Sequence, residues 1–284
     1  MAPRKLTFHK MHSLGNDFMV LDGVSRALDL QPEQIKAWGD RQRGIGFDQL
    51  LIVAPPTEPD ADFTFQIYNQ DGTEAQQCGN GTRCVTQLAL SLGLTQKKNL
   101  VWQSLAGRFS TSANENTYTT EMTLPVLEHG AIPFDPSAAT EVDPNIFTLS
   151  TDDGATYAVT PVSMGNPHGV IFTDKLFDLD VPAIGASLTA HPAFPERANI
   201  GFCQVIDRQF IRLRVFERGT GETQACGSGA CAAVVAARLT EQINSRVKVS
   251  LPGGKLKLNW PGHGEPVTMS GPATMVFRGE VELT

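Results

Sequence analysis

The sequence predicts an α+β protein made by duplicating one domain, and three observations point there. Segments of the first half reappear in the second half in the same order. Short strands with alternating apolar and polar residues dominate both halves. In each half a Cys-Gly-polar-Gly segment stands between such a strand and a helix.

The repeat comes first because it organises the rest. Gly15-Asn16 in LGNDF recurs as Gly165-Asn166 in MGNPHG. IGFDQL, from Ile45, recurs as IGFCQV, from Ile200, which sets Asp48 opposite Cys203. YNQDGTEAQQCGNG, from Tyr68, aligns with FERGTGETQACGSG, from Phe216, and so pairs Cys78 with Cys226 and Asn69 with Glu217. Any one short match arises by chance, but three in one order argue for duplication.

In chain order, FMVLD and DQLLIV read as strands, and Ala54 to Pro59 reads as a loop. DFTFQIY alternates Phe63, Phe65 and Ile67 with polar residues, the period of a half-buried strand. Val85, Leu88, Ala89 and Leu92 then share one helical face, with Gly93 at the C-cap. YTTEMTL reads as a strand, and Pro133 to Pro136 as a loop near the junction of the halves. The second half follows with GVIFT, the alternating QFIRLRVFE, a small-residue helix ACAAVVAARLTEQ, and the strands VKVSL and KLKLNW.

Composition narrows the function. The 284 residues are 41% hydrophobic, with 23 basic against 30 acidic side chains and a net charge of -7. No run of Lys or Arg exceeds two residues, so a nucleic-acid footprint is missing and a small molecule is the expected partner. Thr223 to Ala237, the candidate span, is broken by Gln, Gly and Ser, so no membrane association is expected. The start carries no apolar signal core, and five irregularly spaced cysteines fit reduced thiols in a cytoplasmic protein, with a homodimer left open as an assembly. GIGFDQ lacks the third glycine of a dinucleotide fingerprint and no phosphate-binding loop occurs, so neither cofactor nor metal is expected. Cys84, Cys203 and Cys231 read as core packing.

Cys78 and Cys226 sit where a helix begins. The first turn offers unpaired N–H groups and partial positive charge, which lower a thiol's pKa and bind anions. A single such cysteine has an inert reading as a buried small hydrophobe. Two equivalent ones suit a specific task, in which a thiolate removes the proton from one face of an α-carbon and a thiol delivers another to the opposite face. Donors on the substrate carboxylate would stabilise the charge as the carbanion develops.

KMHSLGNDFMVLD, IGFDQL, YNQDGTEAQQCGNGTRC, GNPHGV, RANIGF and RVFERGTGETQACGSGACAAV closely resemble the diaminopimelate epimerase family, and the closing GPATMVFRGE resembles its last strand. The resemblance implies two pseudo-symmetric domains, 1–125 with 271–284 returning as a last strand, and 126–270. Each is implied to be a mixed sheet or barrel around a central helix, with the active site in the cleft between them. It implies a cofactor-independent epimerase that interconverts LL- and meso-diaminopimelate in lysine and peptidoglycan precursor synthesis, with Cys78 and Cys226 as the acid/base pair. His168 and Glu217 resemble residues that help the thiols exchange protons. Asn16, Gln49, Asn69, Asn166, Asn199, Glu217 and Arg218 look like substrate contacts, and Gly79-Asn80 with Gly227-Ser228 look like the carboxylate-binding helix mouths. Phe216, Ser228 and Gly201 depart from the commoner family residues without touching the acid/base pair.

Blander readings stand beside these. Asn16 and Asn166 follow glycines and could be turn formers. His168 could be a solvated loop histidine, and Glu217 a surface ion pair with Arg218. Rival functions are a proline or hydroxyproline racemase with the same two-cysteine logic, a thiol redox or metal-binding module, and a non-catalytic binding protein.

Overall fold

The structure, a computed structural model, describes residues 4–76, 78–151 and 153–283. The chain divides into two compact units, Met1–Glu121 with Ser270–Thr284, and Met122–Met269. In the first, β1 (Arg4–Ser13) and β2 (Asn16–Asp22) form a hairpin. Helix α1 (Pro32–Gly39) leads to β3 (Gln49–Ala54), parallel to β2, and β4 (Phe63–Asn69) returns antiparallel to β3. Helix α2 (Gly79–Ser91) crosses to β5 (Asn99–Ser104), parallel to β4, and β6 (Gly107–Asn114) and β7 (Thr117–Glu121) follow as a meander.

The second unit opens with β8 (Thr140–Asp143) and β9 (Ile146–Ser150) and then repeats that order. β10 (Thr156–Ser163) and β11 (Pro167–Phe172) form the hairpin, and α3 (Val181–Thr189) leads to β12 (Asn199–Asp207), parallel to β11. β13 (Phe210–Glu217) returns, followed by β14 (Gly221–Thr223), helix α4 (Gly227–Leu239), β15 (Arg246–Leu251), parallel to β13, and β16 (Gly254–Asn259). After β17 (Thr268–Gly271), the last strand β18 (Thr274–Leu283) pairs antiparallel with β1.

The strand registers correct one part of the repeat. Phe18 faces Gln49 across the parallel β2–β3 pair, and His168 faces Asn199 across β11–β12. Leu50 faces Tyr68 as Ile200 faces Phe216. Gln49 is therefore equivalent to Asn199, Val53 to Cys203, and Asp48 to Ala198; the sequence match of Asp48 with Cys203 is out of register. The cause is local. Ile45-Gly46-Phe47 lies in the loop before β3, whereas Ile200-Gly201-Phe202 lies inside β12, so the shared tripeptide serves two different structures.

The central helices explain the burial pattern. α2 packs on β1, β2, β3, β6 and β7, strands from both ends of the unit's strand order, so the sheet wraps around it. Its core partners include Met11, Phe18, Val20, Leu51, Val53, Phe65 and Trp102. The alternate residues Met19, Leu21, Leu50 and Ile52 pack on the other face with Ile35 of α1. Strands covered on both faces read as unbroken apolar runs, as MVL and LLIV do. α4 is buried from Gly229 to Ala237, which its small residues permit against β10 to β13.

Both helices start three to six residues before the apolar pattern does, because the cysteines act as N-caps. α2 ends in a Schellman motif: Gly93 has φ +69°, and Leu94 N–H reaches Ala89 O at 3.0 Å. α4 ends alike, with Gln242 N–H on Ala237 O at 2.9 Å, so it stops short of the expected Thr240-Glu241-Gln242. YTTEMTL is a strand only as far as Glu121, and Pro125, which has no N–H, follows within four residues. Pro136 begins a short 3-10 turn capped by Asp135 rather than lying in a plain loop. Among the described residues no helix is long and apolar enough to cross a membrane.

Candidate active site: two helix-mouth thiols

In the first unit Cys78 adopts extended φ/ψ angles (-151°, 95°) as the N-cap of α2, and its sulfur accepts the Gly81 N–H at 3.3 Å. This is the role that serine or aspartate oxygens usually fill. A Cβ on Gly81 would stand 3.2 Å from that sulfur, so glycine permits the close approach. Asn16, the first residue of β2, brings Oδ1 to 3.9 Å from the Cys78 sulfur and accepts Asn80 Nδ2 at 3.2 Å. Asn80 in turn accepts Arg83 Nη2 at 2.6 Å, and Arg83, fully buried, also donates to Ser13 Oγ and to Gly79 O. Gln49 at the start of β3 donates to Asn69 at the end of β4 across the ladder, at 3.1 Å, and Asn69 donates to Thr73.

In the second unit Cys226 caps α4 in the same way, accepting Gly229 N–H at 3.4 Å with Ser228 Oγ at 3.6 Å. Here the expectation of a lowered thiol pKa fails. Burial pushes the Cys226 thiol well above its ordinary value and the neighbouring Glu217 carboxylate adds to this, while Ser228 and the Gly229 N–H offset only part. A few N–H dipoles do not replace the lost hydration of a fully buried anion. Glu217, at the end of β13, accepts Thr223 Oγ1. Asn199 accepts the Arg218 N–H at 2.8 Å, and Arg218 Nη1 donates to Glu196 O.

His168 lies inside β11 and is 1% exposed, which rules out a solvated loop histidine. Its Nε2 is 3.1 Å from Asn166 Oδ1. Burial, with the Arg218 charge second, pushes its pKa down to about 3, so the ring is neutral near pH 7. With Nε2–H donated to Asn166, Nδ1 is a bare acceptor, buried and without a partner among the described residues. Asn16 and Asn166 are thus more than turn formers, since both side chains bond within their sites.

Cys84, Cys203 and Cys231 are fully buried. Burial raises the Cys84 thiol strongly and pushes Cys203 up to about 12, as inert core thiols require. Sequence reasoning missed Ser13, Asp48, Arg83 and Thr223. Arg83 had a signal, since it is a lone charge on an otherwise uncharged helix; Asp48 was hidden by the misregistered match.

Each unit thus presents a capping thiol, a first-turn N–H aimed at it, and asparagines on the adjoining strand ends. That arrangement can bind an anion and exchange a proton. The family described as diaminopimelate epimerase matches residues 8–127 and 160–276. The diaminopimelate epimerase of Ectopseudomonas mendocina (strain ymp) is 47% identical over 280 residues, covering 98% of this chain and 99% of its relative. That of Pseudomonas aeruginosa (strain LESB58) is 46% identical over 282 residues, again 98% and 99% of the two chains. Among solved structures, a hydroxyproline epimerase from Agrobacterium vitis has a TM-score of 0.68 at 14% identity, covering 99% of this chain and 93% of that one. A PhzF-family phenazine biosynthesis protein of Bacillus anthracis has 0.66 at 16%, covering 99% and 100%. Those two share the fold, whereas nearly full-length identity near one residue in two and a match spanning both thiol motifs place the chain in the diaminopimelate epimerase family.

Proposed function

We propose that this chain interconverts LL- and meso-2,6-diaminopimelate without a cofactor, in lysine and peptidoglycan precursor synthesis. One of Cys78 and Cys226 takes the α-proton as a thiolate, and the other gives a proton to the opposite face as a thiol. The observation that carries this reading is the repetition of one device, a cysteine capping a glycine-opened helix, at equivalent positions of two duplicated units. The reading requires both sulfurs to reach one α-carbon. First-turn N–H groups at Gly79-Asn80 and Gly227-Ser228 hold the α-carboxylate and stabilise the charge that develops on it.

Both thiols must shed or take a proton in each cycle. Glu217 beside Cys226 and neutral His168, with its bare Nδ1, are the groups that assist, and Asn16, Gln49, Asn69, Asn166, Asn199 and Arg218 hold the amino and carboxylate ends. Reduced thiols fit a cytoplasmic setting.

Substitution tests the assignment. Cys78→Ala and Cys226→Ala, each folded, should lower epimerisation by about 10³-fold or more, because each direction needs one thiolate and one thiol. Cys84→Ala should keep turnover within a few-fold. Near-normal turnover by either single variant, or loss of turnover in a folded Cys84→Ala variant, would overturn it.

A further inference from the structure

The groups around Cys78 form a hydrogen-bonded chain with a fixed direction. Arg83 Nη2 donates to Asn80 Oδ1 at 2.6 Å, Asn80 Nδ2 donates to Asn16 Oδ1 at 3.2 Å, and Asn16 Nδ2 donates to Asp48 Oδ2 at 2.8 Å. A guanidinium has only donors and an ionised carboxylate only acceptors. The two ends therefore dictate which way both amides face: Asn80 must offer oxygen to Arg83, and Asn16 must offer nitrogen to Asp48. Asp48 is itself held from behind. Arg41 Nη2 binds its Oδ1 at 2.6 Å, Asp17 N–H binds its Oδ2 at 3.1 Å, and Arg41 also clamps Asp17, which Lys10 binds from the other side.

The consequence falls on Cys78. With its nitrogen committed to Asp48, Asn16 turns Oδ1 toward the sulfur at 3.9 Å. An amide oxygen accepts from an S–H but repels a thiolate. We propose that Asp48, held by Arg41, is a positioning residue that locks the Asn16 amide with its oxygen toward Cys78 and so keeps that thiol protonated at rest. The Gly81 N–H at 3.3 Å favours the anion and acts as the counterweight, which leaves the protonation of Cys78 sensitive to the direction of one amide. Among the described residues the second unit shows no such chain, since Ala198 takes the place of Asp48 and Asn166 Oδ1 is engaged by His168. The two thiols are thereby set by different groups.

This proposal deepens the reading of Cys78 as one of the acid/base pair, and its test does not depend on turnover. Asp48→Asn keeps the shape but offers a donor as well as an acceptor, which loosens one of the two ends that fix the Asn16 amide. Asn80 Nδ2 is left to hold the Asn16 oxygen, so the amide turns its N–H toward the sulfur for part of the time and favours the thiolate. Iodoacetamide labelling with peptide mapping should show Cys78 reacting about 10-fold faster than in the unaltered protein, the change expected of one pKa unit, with Cys226 within two-fold in the same sample. Turnover should show kcat falling by about 10- to 100-fold with a smaller change in KM, as misplacement near the reacting groups does. Asp48→Ala, at a half-exposed position, removes the acceptor outright and should move Cys78 the same way if the Asn variant does not fold. Arg43→Ala, on the same loop with an exposed side chain, should leave labelling and turnover unchanged. Unchanged Cys78 labelling in folded Asp48 variants would overturn the proposal, and so would equal acceleration at both thiols, which marks general loosening. Failure of the unaltered protein to exchange the α-hydrogen would instead overturn the acid/base reading alone.

Discussion

At His168 the chain keeps an ionisable ring in a place where its charge is not tolerated. The ring is buried in β11, and its folded pKa, pushed down to about 3, lies below the ordinary value of 6.5. A group depressed on folding contributes stability that is fully present above its unfolded pKa and is lost as pH falls toward the folded value. The account therefore predicts a loss on the order of a few kcal/mol between about pH 6.5 and about pH 3. Denaturant unfolding across that window should show the loss in the unaltered protein and a shallower fall in His168→Gln. Parallel curves would show that the ring is not buried neutral. The sequence placed His168 among the proton-exchange residues through a family resemblance; its burial was not legible, because nothing in GNPHGV distinguishes a strand from a loop.

At the scale of elements, α2 is fixed by hydroxyl groups as well as by apolar packing. Thr86 Oγ1 lies 2.9 Å from Thr111 Oγ1 of β6, which also accepts Trp102 Nε1 from β5 at 2.8 Å. Thr82 Oγ1 lies 2.6 Å from Thr120 Oγ1 of β7. These buried contacts tie the helix carrying Cys78 to β6 and β7, and β6 to β5. Thr86→Val keeps the volume and leaves the Thr111 hydroxyl short of a partner, so it should lower unfolding free energy by about 1–3 kcal/mol. Equilibrium denaturation measures it, and an unchanged midpoint would mean that apolar packing alone holds the helix. The helix itself was legible from Val85, Leu88, Ala89, Leu92 and Gly93. Its first two turns were not, because Gly-Asn-Gly-Thr is a poor helix former in isolation and adopts the helix only with the Cys78 cap and the buried Arg83 contacts. α1, α3 and the long strand β1 also went unread. α1 and α3 are short, and α1 begins at Pro32 with a narrow apolar face of which Ile35 is the buried member.

Across the whole molecule, duplication was the most informative feature of the sequence, and the element order of the two units repeats it, with β8, β9 and β14 added in the second. What sequence matching alone misjudged was register: the IGF tripeptide drew Asp48 onto Cys203, while the separate strand registers of the two units make Gln49 equivalent to Asn199, and hence Asp48 to Ala198. A loop and a strand can share letters, but only backbone pairing fixes which positions are equivalent. With that corrected, the two copies carry the same thiol cap on different supports: amides directed by Arg83 and Asp48 at Cys78, and the Glu217 carboxylate at Cys226. The central claim is that two thiols serve opposite faces of one α-carbon, and turnover of LL-diaminopimelate in deuterium oxide tests it most directly. The account predicts that early meso product carries one deuterium at the inverted α-carbon, and that this incorporation disappears in both Cys78→Ala and Cys226→Ala. Inverted product that retains its original hydrogen, or deuterated product formed at the normal rate by either variant, would contradict it.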